Sequence, residues 1–206
     1  LPRSTTRSWS SSAAETTPRL AVARQPGTRI LEVRGRAPWG SPPVSTTVAV
    51  ANPTIFFTGE LRQALLRLSR NAQAKELAQR SLRALAGFAK ALKFKYQDIE
   101  VGFDFDPEPG LADNGDLEHD LQALLEVAGA AAQKAGTALA LFIDELQYVE
   151  EDELAALITA LHRTAQRQLP VVLVGAGLPS LRGRMGRAKS YAERLFDFPT
   201  IGPLPP

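Results

Sequence analysis

Apolar residues recur every three to four positions over four stretches after residue 59, which is the spacing of amphipathic helices. The predicted helices cover residues 60–68, 74–92, 116–135 and 150–165, with the first two either separate or one helix broken near Asn71. Asp116 can cap the third helix, and Gly136 is typical of the residue that closes it. The acidic run from Glu150 to Glu153 suits the positive end of the fourth helix dipole. These signals fix the starts of two helices in the second half of the chain.

Three other stretches have the pattern of β-strands. Residues 96–106 alternate with period two, which predicts a half-exposed strand that ends at Pro107. The runs 138–143 and 171–174 are continuously apolar, as strands buried in a parallel sheet are. Helices and strands alternate along the chain, which favours right-handed crossovers. The predicted fold class is therefore α/β, with 138–143 and 171–174 as adjacent or near-adjacent parallel strands.

Two carboxylates, Asp144 and Glu145, follow the first of these apolar runs. Ligands of open α/β sheets bind beyond the carboxyl ends of the strands. The pattern predicts a Walker B strand, in which Asp144 would hold the water shell of Mg²⁺ and Glu145 would orient the water that attacks the γ-phosphate of ATP. The alternative is that the acid pair only ends a strand and begins a loop.

The sequence from Leu139 to Leu204 resembles the core of bacterial ATP-binding proteins of the AAA-type ATPase group, relatives of the origin-recognition and STAND-like ATPases. The resemblance rests on LALFIDELQYVEEDELAALITALHRTAQRQLPVVLVGAGLPSLRGRMGRAKSYAERLFDFPTIGPL and extends upstream through 107–121 and to 61–70. It implies a P-loop NTPase core that binds and hydrolyses ATP with Mg²⁺.

The resemblance also implies roles for particular residues. Asp144 becomes the magnesium ligand, Glu145 activates water, and both contribute to the nucleotide site. Arg194 becomes a candidate arginine finger or nucleotide-sensing arginine, with a solvated helix arginine beside Glu193 as the alternative. The sensor position, where many relatives have Asn, Ser or Thr, is occupied here by Gly-Ala-Gly at 175–177.

The phosphate-binding loop G-x-x-x-x-G-K-[ST] is missing from the sequence, and no lysine precedes Lys75. The segment 183–190 nearly fits, but Ala188 replaces a glycine and the segment follows the acid pair instead of preceding it. The helical lid that normally follows the AAA core is also expected to be missing after Pro206. We therefore expect a partial P-loop core that is inactive as it stands.

Composition divides the chain into two parts. Residues 1–55 contain seven Arg, no Lys or Asp, two Glu, seven Pro and fifteen Ser and Thr. Their net charge is therefore +5, whereas the net charge of the remaining residues is −3. The predicted organisation is a disordered or aberrant segment over 1–58 and a partial AAA-type core over 59–206. A disordered basic arm for nucleic acid is one explanation of the first segment, although its arginines are scattered singly.

An out-of-frame translation is the other explanation. One permissible coding of residues 35–43, read one nucleotide earlier, gives Gly-Pro-Arg-Ala-Val-Gly-Lys-Ser-Thr, a complete phosphate-binding loop. The chain also begins with Leu1, and its only methionine is Met185, so a non-native N-terminus is expected. The hypothesis places the missing strand and loop in the segment before about residue 55.

The remaining composition narrows the function classes. The absence of cysteine excludes disulfides and thiolate metal sites and fits a reducing compartment, so a cytoplasmic protein is expected. The sequence has no run of 18 apolar residues, so no membrane span is predicted. His119 and His162 have no neighbouring metal-ligand pattern. The alternatives to an ATPase are a non-catalytic module that binds another protein and a nucleic-acid binder that uses the arginine-rich arm.

Overall fold

A computed structural model of the chain describes residues 46–50, 58–95 and 105–199, with side chains over 58–92 and 105–199. The elements, in chain order, are β1 (Thr46–Val50), α1 (Thr58–Leu68), α2 (Lys75–Lys95), α3 (Leu117–Lys134), β2 (Leu139–Ile143), a 3₁₀ turn (Leu146–Tyr148), α4 (Glu151–Gln166), β3 (Val171–Gly175), α5 (Leu181–Ala188) and α6 (Ala192–Leu195). The predicted α/β class is confirmed. The strand expected over 96–106 lies almost entirely outside the described residues, and Phe105 and Asp106 are not in a strand.

The three described strands form one parallel sheet in the order β1-β2-β3. Val50 pairs with Ile143 across the first ladder, and Ile143 pairs with Gly175 across the second. The three strands therefore end at the same edge of the sheet, with β2 in the centre. The prediction that 138–143 and 171–174 are adjacent and parallel is confirmed.

Strand β1 lies inside the segment 1–58, for which composition predicts disorder or aberrant sequence. The strand is only five residues long, Thr-Thr-Val-Ala-Val, and has no period-two alternation that would distinguish it in a stretch rich in Ser, Thr and Pro. Residues 35–43, on which the frame hypothesis depends, lie outside the described residues.

The helices that lead into and out of β2 begin where the sequence predicts. Asp116 caps α3, because its Oδ1 accepts a hydrogen bond of 3.0 Å from the backbone N–H of His119. Glu150 caps α4, and Glu153 Oε2 accepts a hydrogen bond of 3.4 Å from the Glu150 N–H. These caps fix the residues at which α3 and α4 begin, before and after β2 and its acid pair.

Strands β2 and β3 have one buried face and one face that is only partly buried. Leu139 and Leu141 of β2 and Leu173 of β3 are buried, whereas Phe142 and Val174, which point to the other face, are only half-buried. Continuous apolar runs predict burial of both faces of a strand, which requires helices on both sides of the sheet. Phe142 and Val174 are less buried than that pattern predicts.

Helices α3 and α4 pack against each other over the core. Crossovers of one hand that advance in one direction across a sheet place their helices on the same face, and this contact agrees with that rule. Gly129 lets α3 approach the start of β3 closely, since a Cβ there would lie 2.8 Å from Val171 Cγ2. A side chain at position 129 would therefore push α3 away from the start of β3.

Candidate functional site

The acid pair lies at the carboxyl edge of the central strand, beside the loop that follows β3. The Ala176 N–H donates a hydrogen bond of 2.8 Å to Ile143 O, and the Leu146 N–H donates one of 3.0 Å to Ala176 O. These two bonds join the turn after β2 to the loop after β3. Asp144 and Glu145 are therefore fixed to the end of the sheet from both sides.

The two acids differ in exposure. Asp144 is half-buried, and its Oδ1 accepts a hydrogen bond of 2.8 Å from the Glu145 N–H. Glu145 is exposed and has left-handed backbone angles, φ 54° and ψ 36°, which residues other than glycine adopt at a cost of about 1 kcal/mol. This conformation reverses the chain directly after Asp144, so that Leu146 enters the core while Glu145 faces solvent.

Gln147 holds the Glu145 side chain. Its Nε2 donates a hydrogen bond to Glu145 Oε2, and its Oε1 accepts one of 3.1 Å from the Leu178 N–H. Gln147 is only 6 % exposed. No local sequence pattern predicts a role for this residue, because its second partner lies 31 positions away. The signals available in the sequence were its place beside the acids and the glycine at 177.

The rim of this edge carries two exposed apolar side chains and one cation. Tyr148 is 67 % exposed and Leu178 is 39 % exposed. Arg184 of α5 donates a hydrogen bond of 2.8 Å from Nη2 to Val149 O, which ties α5 to the turn that follows the acids. Arg184 was also missed by sequence analysis, since no local pattern connects it with residue 149.

Arg194, the predicted nucleotide-sensing cation, is not joined to the acids. It is exposed on α6, and among the residues described it forms no ion pair with Asp144 or Glu145. Helix α6 is held to α4 instead, because the Tyr191 hydroxyl lies 3.3 Å from Thr159 Oγ1 and its ring lies 4.9 Å from that of His162. The nucleotide-sensing role of Arg194 stays a prediction.

The acid pair offers carboxylate oxygens to a hard cation, but the described residues do not surround it with further protein ligands. Over 58–92 and 105–199, no group of three or more His, Asp or Glu side chains is placed to hold a metal ion. Magnesium is usually held by one or two carboxylates together with water and phosphate oxygens, and Asp144 and Glu145 offer such oxygens. The donor chemistry fits Mg²⁺, while the phosphate-binding part of such a site is missing from the sequence.

No helix in the described ranges is long and apolar enough to span a bilayer. Comparisons with protein-family models, curated proteins and solved structures found no match.

Proposed function

We propose that the chain carries the magnesium- and water-handling part of an AAA-type P-loop ATPase core, and that it has very little nucleotide affinity as it stands. The observation that supports this most is the place of Asp144 and Glu145, at the carboxyl edge of the central strand of a parallel sheet. The adjoining loop over 175–178 supplies a second wall at the same edge.

The two acids have separate roles in this proposal. Asp144, half-buried and oriented by the Glu145 N–H, would bind Mg²⁺ directly or through water. Bound magnesium would neutralise charge on the phosphate oxygens. Glu145 faces solvent and would accept a proton from the attacking water, with its carboxylate oriented by Gln147. Arg194 would meet phosphate oxygens only if the ligand or a neighbouring protein reaches α6.

Weak nucleotide affinity follows from charge. Two unit charges of like sign 4 Å apart repel by about 4 kcal/mol at an effective dielectric constant of ~20, so two carboxylates alone disfavour a triphosphate. A phosphate-binding loop reverses this balance with backbone N–H groups and a lysine ammonium, and the sequence has neither G-x-x-x-x-G-K-[ST] nor a lysine before Lys75.

Calorimetry with Mg·ATP tests the proposal. The chain as it stands should show no micromolar binding. A repaired chain, with residues 35–43 replaced by Gly-Pro-Arg-Ala-Val-Gly-Lys-Ser-Thr and the flanking frame restored, should bind. The same repair with alanine in place of the loop lysine is the control and should bind far more weakly. Micromolar binding by the unrepaired chain, or none by the repaired one, would contradict the proposal.

A non-catalytic interaction module is the second candidate, and the exposure of Tyr148 and Leu178 on one edge favours it. Under this alternative the repaired chain folds but binds no nucleotide. A nucleic-acid arm remains the third candidate. It predicts salt-dependent DNA binding that is lost when residues 1–45 are removed, a truncation that spares β1.

A further inference from the structure

We propose that Gln147 is a positioning residue that couples the carboxylate of Glu145 to the loop after β3. The coupling itself is a property of the described structure, and its consequence for catalysis rests on the proposed function. Through Gln147, a change in the loop over 176–178 would change the orientation of the Glu145 carboxylate.

The side chain of Gln147 uses both ends of its amide. Nε2 donates to Glu145 Oε2, and Oε1 accepts from the Leu178 N–H at 3.1 Å. The amide plane is rigid, so a displacement of one partner moves or breaks the contact with the other. Burial of Gln147 limits competition from water, which makes each lost bond expensive to replace.

Gly177 provides the space for this arrangement. A Cβ at 177 would lie 2.7 Å from Gln147 Oε1 and 3.0 Å from Leu181 Cδ2. These distances are too short for a side chain at 177 unless Gln147 or Leu181 moves. The loop therefore lacks a side chain at the point where the Gln147 carbonyl sits. Gly-Ala-Gly at 175–177 offers no polar side chain, and Gln147 supplies a polar group there from the opposite turn.

Glutamine is the residue type that fits both partners. A glutamate would place an acceptor against the Glu145 carboxylate, and an asparagine is one methylene shorter. A leucine has a comparable volume but neither donates nor accepts a hydrogen bond. Gln147→Leu therefore removes the coupling with little change of packing volume.

Amide hydrogen exchange of Leu178, measured by NMR on the full chain without ligand, tests the coupling. Glu145→Ala should accelerate exchange at Leu178 about threefold to tenfold in the parent chain, because Gln147 loses one of its two anchors. The same substitution should have no further effect in a Gln147→Leu background, where exchange at Leu178 is already fast. Tyr148→Ala, a change of an exposed neighbour, is the control and should leave the Leu178 rate unaltered.

Gly177→Ala is a second route to the same result if Gln147→Leu does not fold. It displaces Gln147 Oε1 without changing Gln147 or Glu145, and it should abolish the effect of Glu145→Ala on Leu178. The inference is overturned if Glu145→Ala leaves exchange at Leu178 unchanged in the parent chain, or accelerates it equally in all three backgrounds.

The outcome is independent of nucleotide binding. If the repaired chain binds no Mg·ATP but Glu145 and Leu178 are still coupled, the proposed function is refuted. The positioning of the Glu145 carboxylate by Gln147 is then still supported. If the repaired form does hydrolyse ATP, Gln147→Leu should lower kcat at least tenfold with little change in KM, a pattern that general loss of structure would not give.

Discussion

Ile143 and Gly175 are direct partners across the parallel ladder of β2 and β3. Because the strands run in the same direction, the residues that follow them, Asp144 and Ala176, leave the sheet at the same edge. The hydrogen bond from the Ala176 N–H to Ile143 O keeps the two exits together. This pairing gives the acid pair a defined second wall.

The two acids should respond differently to substitution in the repaired chain. Glu145→Gln should preserve Mg·ATP binding and slow hydrolysis by ~10²-fold or more, because the water loses its proton acceptor while Asp144 remains. Asp144→Ala should weaken magnesium-dependent binding itself. Calorimetry and single-turnover hydrolysis distinguish the two effects. Equal hydrolysis with glutamine at position 145 would refute the assignment of Glu145 as general base.

Substitution of Gly129 by alanine should destabilise the fold. The new Cβ would lie 2.8 Å from Val171 Cγ2 and 3.0 Å from Leu169 Cβ, and such overpacking costs about 1–3 kcal/mol, more than the gain in helix propensity. Gly183→Ala in α5 is the matched control, since a Cβ there would lie 3.8 Å from Arg187 Nη1, an ordinary contact distance. It should stabilise by up to about 1 kcal/mol. If urea unfolding shows that both substitutions change the free energy of unfolding in the same direction, the close contact of α3 with β3 is contradicted.

Asp120 should be important for the loop that precedes α3. It is 1 % exposed, and its carboxylate accepts hydrogen bonds from the backbone N–H groups of Asn114 at 3.0 Å and Gly115 at 2.9 Å. Asp120→Ala leaves these donors without their acceptor and should lower the free energy of unfolding by about 2–3 kcal/mol. Asp116→Ala, which removes only the α3 cap, should cost ~1 kcal/mol. A smaller loss for Asp120→Ala than for Asp116→Ala would contradict this role.

The ion pair between Lys189 and Glu118 should make a small, pH-dependent contribution to stability. The hydrogen bond from Lys189 Nζ to Glu118 Oε2, 2.8 Å long, raises the pKa of Lys189 above its ordinary value of 10.5, although partial burial opposes this. A raised pKa means that the stabilisation is complete below the unfolded pKa and is lost as the pH rises through the folded pKa.

Lys189→Met should therefore lower the free energy of unfolding by about 0.5 kcal/mol near neutral pH, as is usual for a partly exposed pair. The difference from the parent chain should shrink once the pH exceeds the folded pKa of Lys189. Urea titrations at a series of pH values measure it, with Glu118→Gln as the control in which the pair is already broken. A difference that grows at high pH would contradict the sign.

Local signals were enough to predict α3, β2, α4 and β3, but not the 3₁₀ turn or α5. Apolar runs and caps such as Asp116 and Glu150 act within a few residues, so they are legible in one sequence. The half-burial of Phe142 was not predicted, because an apolar run does not reveal how many faces of a sheet are covered. Strand β1 was missed for a different reason, since its flanking composition concealed a short pattern.

The candidate site was predictable only in part. Asp144 and Glu145 follow directly from the strand that carries them, and the structure places them at the expected edge. The bond from Leu178 to Gln147 and the contact of Arg184 with Val149 join residues more than thirty positions apart. Such contacts depend on how the loops pack, which neither periodicity nor composition encodes. The role of Arg194 stays a prediction.

Manganese titration of the unrepaired chain, followed by NMR, tests most directly whether the edge of β2 is a cation site. Mn²⁺ accepts the same oxygen ligands as Mg²⁺ and broadens the resonances near it. Substoichiometric Mn²⁺ should broaden the amides of Asp144, Glu145 and Ala176 first. Asp144→Asn should abolish this effect, and Glu60→Gln, an equal change of charge on α1, should not. Broadening centred on the acidic run from Glu150 to Glu153, and unaltered by Asp144→Asn, would contradict the account.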